Sequence, residues 1–258
     1  MKKIAINTTL KKVLFSPIWL WRAFSLRMKA RKYKKTPEMM DVNERYKYIL
    51  KLSKKIMNIY NVDLVVEGFE NLPNNGGVIL APNHKSNMDP LAIIAALEKQ
   101  TEELGILQKI PVFVAKEELG KKFMVKNALT ILDTTLIDRK NFRESIQKLS
   151  DFGVFVKENK SYGVIFPEGT RIKGKELGEF KAGAFKIAQT LQIPIVPVAI
   201  YNSETAFDKQ RKGRLKIVVS FLKPLKPTDF IMQDNKSLGE RVKNLIQREL
   251  RQHEQKES

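Results

Sequence analysis

The sequence predicts an α/β fold, a mostly buried central sheet flanked by helices, with an N-terminal helical membrane-binding segment. Three observations predict it. From residue 62 onward, short β-rich runs alternate with helical stretches, the order that layers helices on a sheet. Several of those runs are apolar without interruption, as expected of strands covered on both faces. Ahead of them, residues 1–48 carry thirteen Lys/Arg against three Asp/Glu and hold both tryptophans of the chain.

In chain order, the first element is the apolar run VLFSPIWLW at 13–21. RAFSLRMKARKYKK follows at 22–35, with seven basic residues and no acidic one. A spanning helix takes about 20 apolar residues, so this run is too short to cross a bilayer alone. It lacks a small-residue cleavage site and Arg22 interrupts it early, so no cleaved signal peptide is expected. Leu14, Ile18, Trp21, Phe24 and Met28 fall at helical spacing and make one stripe. Phe15 and Trp19 lie off the stripe, and Pro17 is placed to kink it. Tryptophan and basic residues beside a short apolar run suit an interfacial helix on anionic lipid. Trp19, Trp21, Arg22 and Lys29 would make the contact. The competing reading is a helix packed on the main domain with a solvated basic flank.

Seven strands are expected next, at 62–68, 77–83, 111–116, 134–139, 162–167, 194–200 and 214–221. Helices are expected at 90–101, 117–128, 141–158, 179–191 and 237–252. The last of these opens with Ser237-Leu-Gly-Glu240, a capping box, and Val242, Leu245, Ile246 and Leu250 give it one apolar face. No repeat or low-complexity linker divides the chain. One large domain at 56–258 with an appended segment at 1–55 is therefore expected.

Composition narrows the function. A hydrophobic fraction of 43% is enough for a sizeable core. Cysteine is absent, which excludes disulfides, thiolate metal sites and a cysteine nucleophile. The formal charge of +19 implies a polyanionic partner. More than half of that excess sits in residues 1–48, beside an apolar tryptophan-rich run that nucleic acid does not need. No zinc ligand set, RNA-binding block or basic heptad array accompanies it. A nucleic-acid-binding protein remains the alternative of a different class, and a non-catalytic lipid-binding module is a third. No nucleic acid, metal or cofactor is expected.

Chemistry is concentrated at two strand ends. APNHKSNMDP (81–90) contains one of only two histidines, directly after the second expected strand. A spacing of five does not put His84 and Asp89 on one face of a continuous helix or strand. If they meet, the chain turns between them, with Pro90 as the first helical residue. Alone, Asp89 suits a helix cap and His84 an ordinary strand end. Together they suit proton abstraction from an alcohol, the carboxylate fixing the imidazole tautomer.

The fifth expected strand empties into Pro167-Glu168-Gly169-Thr170-Arg171. Its glycine allows a tight turn, and its arginine offers a fork for phosphate oxygens; a surface turn with a solvated arginine is the plainer reading. Gly169 to Lys175 also matches the start of a P-loop, but Glu176 stands where that motif needs a hydroxyl. Nucleotide binding through this loop is not expected.

NHKSNMD and FPEGTR, about eighty residues apart, resemble the two signature blocks of the glycerolipid acyltransferases, specifically the 1-acylglycerol-3-phosphate (lysophosphatidic acid) acyltransferases. Asn83, His84, Ser86 and Asp89 match the first block, and Phe166 through Arg171 the second. EGFENLP, FVAKEEL, TLIDR and IVPVAI resemble lesser blocks, so the likeness runs over roughly residues 62–222. The resemblance implies transfer of an acyl group from an acyl-carrier protein or acyl-coenzyme A thioester to the sn-2 hydroxyl of lysophosphatidic acid, giving phosphatidic acid. His84 would be the general base and Asp89 its orienting partner. Arg171 and Lys116 would bind phosphate, Glu168, Gly169 and Thr170 would shape the loop, and Arg139 would line the site. Ser86 could serve as a nucleophile or as a structural residue of the turn. A peripheral or monotopic protein on the cytoplasmic face of the cell membrane is the expected setting.

Overall fold

The computed structural model describes residues 7–103, 105–174 and 176–257. The first six residues of the basic segment and Lys175 of the P-loop-like stretch lie outside the described residues. Three helices come first: α1 (Thr8–Leu14), α2 (Ser16–Lys35) and α3 (Val42–Ile59). Strands and helices then follow as β1 (Val62–Glu67), β2 (Val78–Pro82), α4 (Asp89–Ala96), β3 (Pro111–Lys116), α5 (Phe123–Ile131), β4 (Thr135–Ile137), α6 (Phe142–Glu158), β5 (Tyr162–Val164), α7 (Ala182–Thr190), β6 (Ile195–Tyr201), β7 (Leu215–Phe221) and α8 (Asn235–Glu257).

All seven expected strands form, and they make one sheet in the order β1-β7-β6-β2-β5-β3-β4. Every pair is parallel except β6 with β7. Side chains alternate across the sheet with the period of two that a strand imposes. Val78 and Leu80 of β2 join the core that includes α3 and α4, while Ile79 and Ala81 join the opposite core with α6, α7 and α8. This double covering is why the strands read as continuous apolar runs.

The helices depart from expectation in four places. The stretch 117–128 is not one helix: a 3-10 segment spans Glu117–Lys121, and α5 starts only at Phe123. The expected helix at 90–101 starts at Asp89 and stops at Ala96, capped by Leu97. Ser237 does not cap α8. Asp234 Oδ1 accepts the backbone N–H groups of Lys236 and Ser237 at 3.0 Å each, so the helix begins two residues earlier and Ser237 lies in its first turn. Pro17 does not kink a helix either. The chain breaks at Phe15, and Pro17 sits in the first turn of α2, where its missing N–H costs nothing.

α3 straddles the boundary read at residue 55. Asp41 caps it by accepting N–H groups of Asn43 and Glu44 at 2.8 and 3.2 Å. Tyr46, Ile49, Leu50 and Met57 are buried from it into the sheet core, each worth roughly 1.5–3 kcal/mol of burial.

Helices α1 and α2 are fastened to this body through buried Leu26 and Ala30 of α2 and through polar contacts at both ends. Buried Lys11 donates to Asn58 O at 2.7 Å and Asn61 Oδ1 at 2.6 Å; burial pulls its pKa down from the usual lysine value. At the other end, Asp133 accepts from the Tyr33 hydroxyl and from Arg45 Nη1, the latter at 2.7 Å. Burial first, then the Asp133 contact, pushes the Tyr33 hydroxyl up to about 12, so it stays a donor. Between the anchors, Leu14, Ile18, Trp21, Phe24 and Met28 all stand exposed. Among the described residues, no helix is long and apolar enough to cross a membrane.

Candidate active site

The site begins where β2 runs out. Pro82 offers no N–H to continue the ladder, and Asn83 takes over with its side chain. Its Oδ1 accepts from Ile200 N at 2.7 Å, and its Nδ2 donates to Ile200 O at 3.0 Å. This clamp to β6 is fully buried and fixes where His84 leaves the sheet. The chain then turns through Ser86, whose Oγ accepts the N–H of Met88 at 3.2 Å. The turn brings Asp89 back to the histidine.

His84 Nδ1 lies 2.8 Å from Asp89 Oδ2. The same oxygen accepts the backbone N–H groups of Lys85 at 2.7 Å and Ser86 at 2.8 Å. Asp89 is thus the first residue of α4, and its carboxylate points back into the turn; it does not cap the helix. Its side chain is 0% exposed and that of His84 is 17% exposed. The other oxygen, Oδ1, has no hydrogen-bond partner among the described residues. A carboxylate accepts and cannot donate, so Nδ1 carries a ring proton, and in the neutral ring Nε2 presents its lone pair. The ring rests on Phe166, 4.2 Å between centroids.

Residues 166–174 and Glu176 wrap around the histidine. His84 N–H donates to Glu168 Oε1 at 3.2 Å, and His84 O accepts from Ile172 N at 2.9 Å. Lys85 Nζ adds bonds to the carbonyls of Gly174, at 2.8 Å, and Glu176. Glu168 is buried, and burial pushes its carboxyl up, opposed by the His84 N–H and the Lys85 charge. Gly169 takes φ +68°, and a Cβ there would sit 3.0 Å from Arg139 Nη2. The glycine therefore makes room for the guanidinium. Arg139 is lowered from the usual arginine value by burial, with Glu118 opposing, and remains charged.

His84, Asp89, Glu168, Gly169 and Arg139 are thus joined by direct contacts. Lys116 and Arg139 end β3 and leave β4, and exposed Thr170 and Arg171 lie in the loop after β5. Strands β2, β5, β3 and β4 are neighbours in the sheet, so these residues share one rim at their carboxyl ends, where such sheets carry their sites. Among the described residues, Lys116, Thr170 and Arg171 make no hydrogen bond or ion pair with the histidine cluster. Sequence reasoning missed Lys85 as the tie between the two loops; its place inside the motif was the only signal. It also left Ser86 open, and the structure gives it a turn-forming bond to Met88.

The site can hold a neutral imidazole ready to take a proton, beside a loop rich in cations. A family model described as Acyltransferase matches residues 63–201. A probable 1-acyl-sn-glycerol-3-phosphate acyltransferase of Mycoplasma pneumoniae is 31% identical, over 89% of this chain and 87% of that protein. The 1-acyl-sn-glycerol-3-phosphate acyltransferase of Salmonella typhimurium is 26% identical over 69% of this chain and 68% of its own. Among solved structures, the 1-acyl-sn-glycerophosphate (LPA) acyltransferase PlsC from Thermotoga maritima superposes with a TM-score of 0.64 at 25% identity, covering 91% of this chain and 95% of that one. With the histidine, the aspartate and the arginine loop gathered on one rim of the sheet, the chain belongs to the acyltransferase family.

Proposed function

We propose that this protein acylates the sn-2 hydroxyl of 1-acylglycerol-3-phosphate, giving phosphatidic acid, with His84 as general base. The observation that carries the reading is the 2.8 Å contact of His84 Nδ1 with a buried aspartate. In the reaction, Nε2 takes the proton of the acceptor hydroxyl as its oxygen attacks the thioester carbonyl. The C–S bond then breaks, and the leaving thiolate takes the proton back from the imidazolium. Asp89 keeps Nδ1 protonated and stabilises the transient positive charge. No enzyme nucleophile is needed, consistent with a chain that has no cysteine.

Arg171, Arg139 and Lys116 receive the acceptor phosphate, Arg171 by a bidentate fork. Glu168 and Gly169 set the shape of that loop, and Thr170 lies between them and the arginine. The donor is an acyl thioester, carried on acyl-carrier protein or coenzyme A. Both carriers are anions suited to a chain of +19. The exposed stripe of α1 and α2, with Trp21 and the basic run that includes Arg22 and Lys29, rests on the anionic cytoplasmic leaflet of the cell membrane.

Purified protein supplied with 1-acylglycerol-3-phosphate and each donor in separate reactions tests this. Phosphatidic acid should form with at least one donor and fail to form in His84→Ala. Absence of product with both donors in vesicles of anionic lipid would refute the reading.

A further inference from the structure

Away from this site, three oxygens converge on one ring nitrogen. His253 of α8 is 5% exposed, and its ring stacks on Tyr201 of β6 with 5.4 Å between centroids. Its Nε2 stands 3.1 Å from Ser220 Oγ of β7. It is 3.3 Å from Glu249 Oε1, one helical turn earlier, and 3.6 Å from Glu67 Oε2 at the end of β1. The nitrogen and one oxygen from each carboxylate all lie within 4.8 Å of one another. One N–H cannot serve three oxygens well.

We propose that Glu67, Glu249 and His253 form a divalent-cation site whose fitting ion is Zn²⁺, with the Ser220 hydroxyl or a water completing the set. Ligand atoms about 2.0–2.1 Å from a tetrahedral zinc lie roughly 3.3 Å apart, and both nitrogen-to-carboxylate separations are close to that. The i, i+4 spacing of Glu249 and His253 puts both on one helix face. Imidazole suits zinc, whereas Mg²⁺ asks for an octahedron of oxygens. Glu67 is 43% exposed and Glu249 20%, so an ion can enter from solvent. The site departs from the absence of a metal expected above because its ligands come from elements far apart in sequence. Its role is to tie α8 to β1, an edge strand separated from β2 by β7 and β6. The proposal does not depend on the acyl-transfer reading.

The full chain in detergent micelles, stripped with a chelator and titrated with Zn²⁺ in a calorimeter, decides it. One equivalent should bind with micromolar or tighter affinity, and the melting temperature should rise with free Zn²⁺. Glu67→Gln and Glu249→Gln should each weaken binding at least tenfold, and His253→Ala should abolish it. If His253→Ala does not fold, the two glutamine variants carry the decision. His84→Ala, which removes the only other histidine, should bind as the wild type does. No binding by the wild type, or unchanged affinity in both glutamine variants, overturns the site. Loss of binding in His84→Ala instead also overturns it.

Discussion

Asp89 Oδ2 faces His84 Nδ1 at 2.8 Å while the same oxygen holds the N–H groups of Lys85 and Ser86. The carboxylate therefore fixes both the ring and the turn that carries it. His84→Ala should lower kcat by about 10²- to 10⁴-fold, the usual worth of a general base, with little change in melting temperature. Asp89→Asn should lose activity on a similar scale, because its carbonyl oxygen can keep the backbone bonds but not the charge opposite the imidazolium. Turnover and thermal melts of both variants measure this, and near-normal turnover in folded His84→Ala would contradict the mechanism.

Ser86 is the internal control. Its side chain is buried and accepts the Met88 N–H at 3.2 Å, so it supports the turn. Ser86→Ala should cost about 1 kcal/mol of stability and retain activity far above that of His84→Ala. An acyl-serine trapped by mass spectrometry would overturn this assignment.

Glu168 gives a pH signature. Burial raises its carboxyl above the ordinary value, so in the intervening pH window the folded state binds more protons than the unfolded one. Stability from this group therefore falls as pH rises through that window. Glu168→Gln can still accept the His84 N–H through its amide oxygen while shedding the buried charge. Its melting temperature relative to wild type should climb from acidic to neutral pH. A gap that is constant with pH would show that the carboxyl is not perturbed.

The arginine loop separates binding from chemistry. Gly169→Ala meets a left-handed backbone, costing about 1–2 kcal/mol, and its Cβ would press on Arg139 at 3.0 Å. Arg171→Ala should raise KM for 1-acylglycerol-3-phosphate with a smaller effect on kcat. Arg171→Lys should restore only part of the loss, since an ammonium lacks the fork. Steady-state kinetics on the three variants test the split, and a lysine variant equal to wild type would remove the bidentate contact.

Which features were legible follows from what each depends on. The strands were readable because a sheet covered on both faces needs unbroken apolar runs, as in Val78–Pro82. The meeting of His84 and Asp89 was readable because the turn between them is local. The approach of Arg139 to Gly169 was not, since it requires β4 to lie two strands from β5. Helix α3 was legible and missed: Asp41 and the spacing of Tyr46, Ile49, Leu50 and Met57 mark it, but the surrounding charge masks the pattern. The start of α8 was misread because Asp234 and Ser237 are both good caps, and only the bonds made choose between them.

The last prediction separates two tryptophans that the sequence had grouped. Trp21 is 68% exposed on the open stripe of α2. Trp19 is half-buried, its indole N–H enclosed and its ring under the Arg22 guanidinium at 4.7 Å. Lys29 is turned toward Tyr48 at 5.1 Å, and Arg27 lies over exposed Phe123 of α5. The apolar surface thus extends from α2 onto α5, where Met124 is also exposed. Basic residues near an anionic leaflet each add about 1 kcal/mol, and buried aromatic side chains add roughly 1.5–3 kcal/mol each. Either contribution alone gives reversible attachment, and the two together give durable attachment. Trp21→Ser with Phe24→Ser should make the protein extractable from anionic vesicles by high salt without lowering its melting temperature. Trp19→Ser should instead lower the melting temperature and change vesicle binding little. Co-sedimentation at low and high salt, paired with thermal melts, reads both effects. Equal sedimentation of the Trp21/Phe24 variant and wild type at high salt would return this stripe to some other partner.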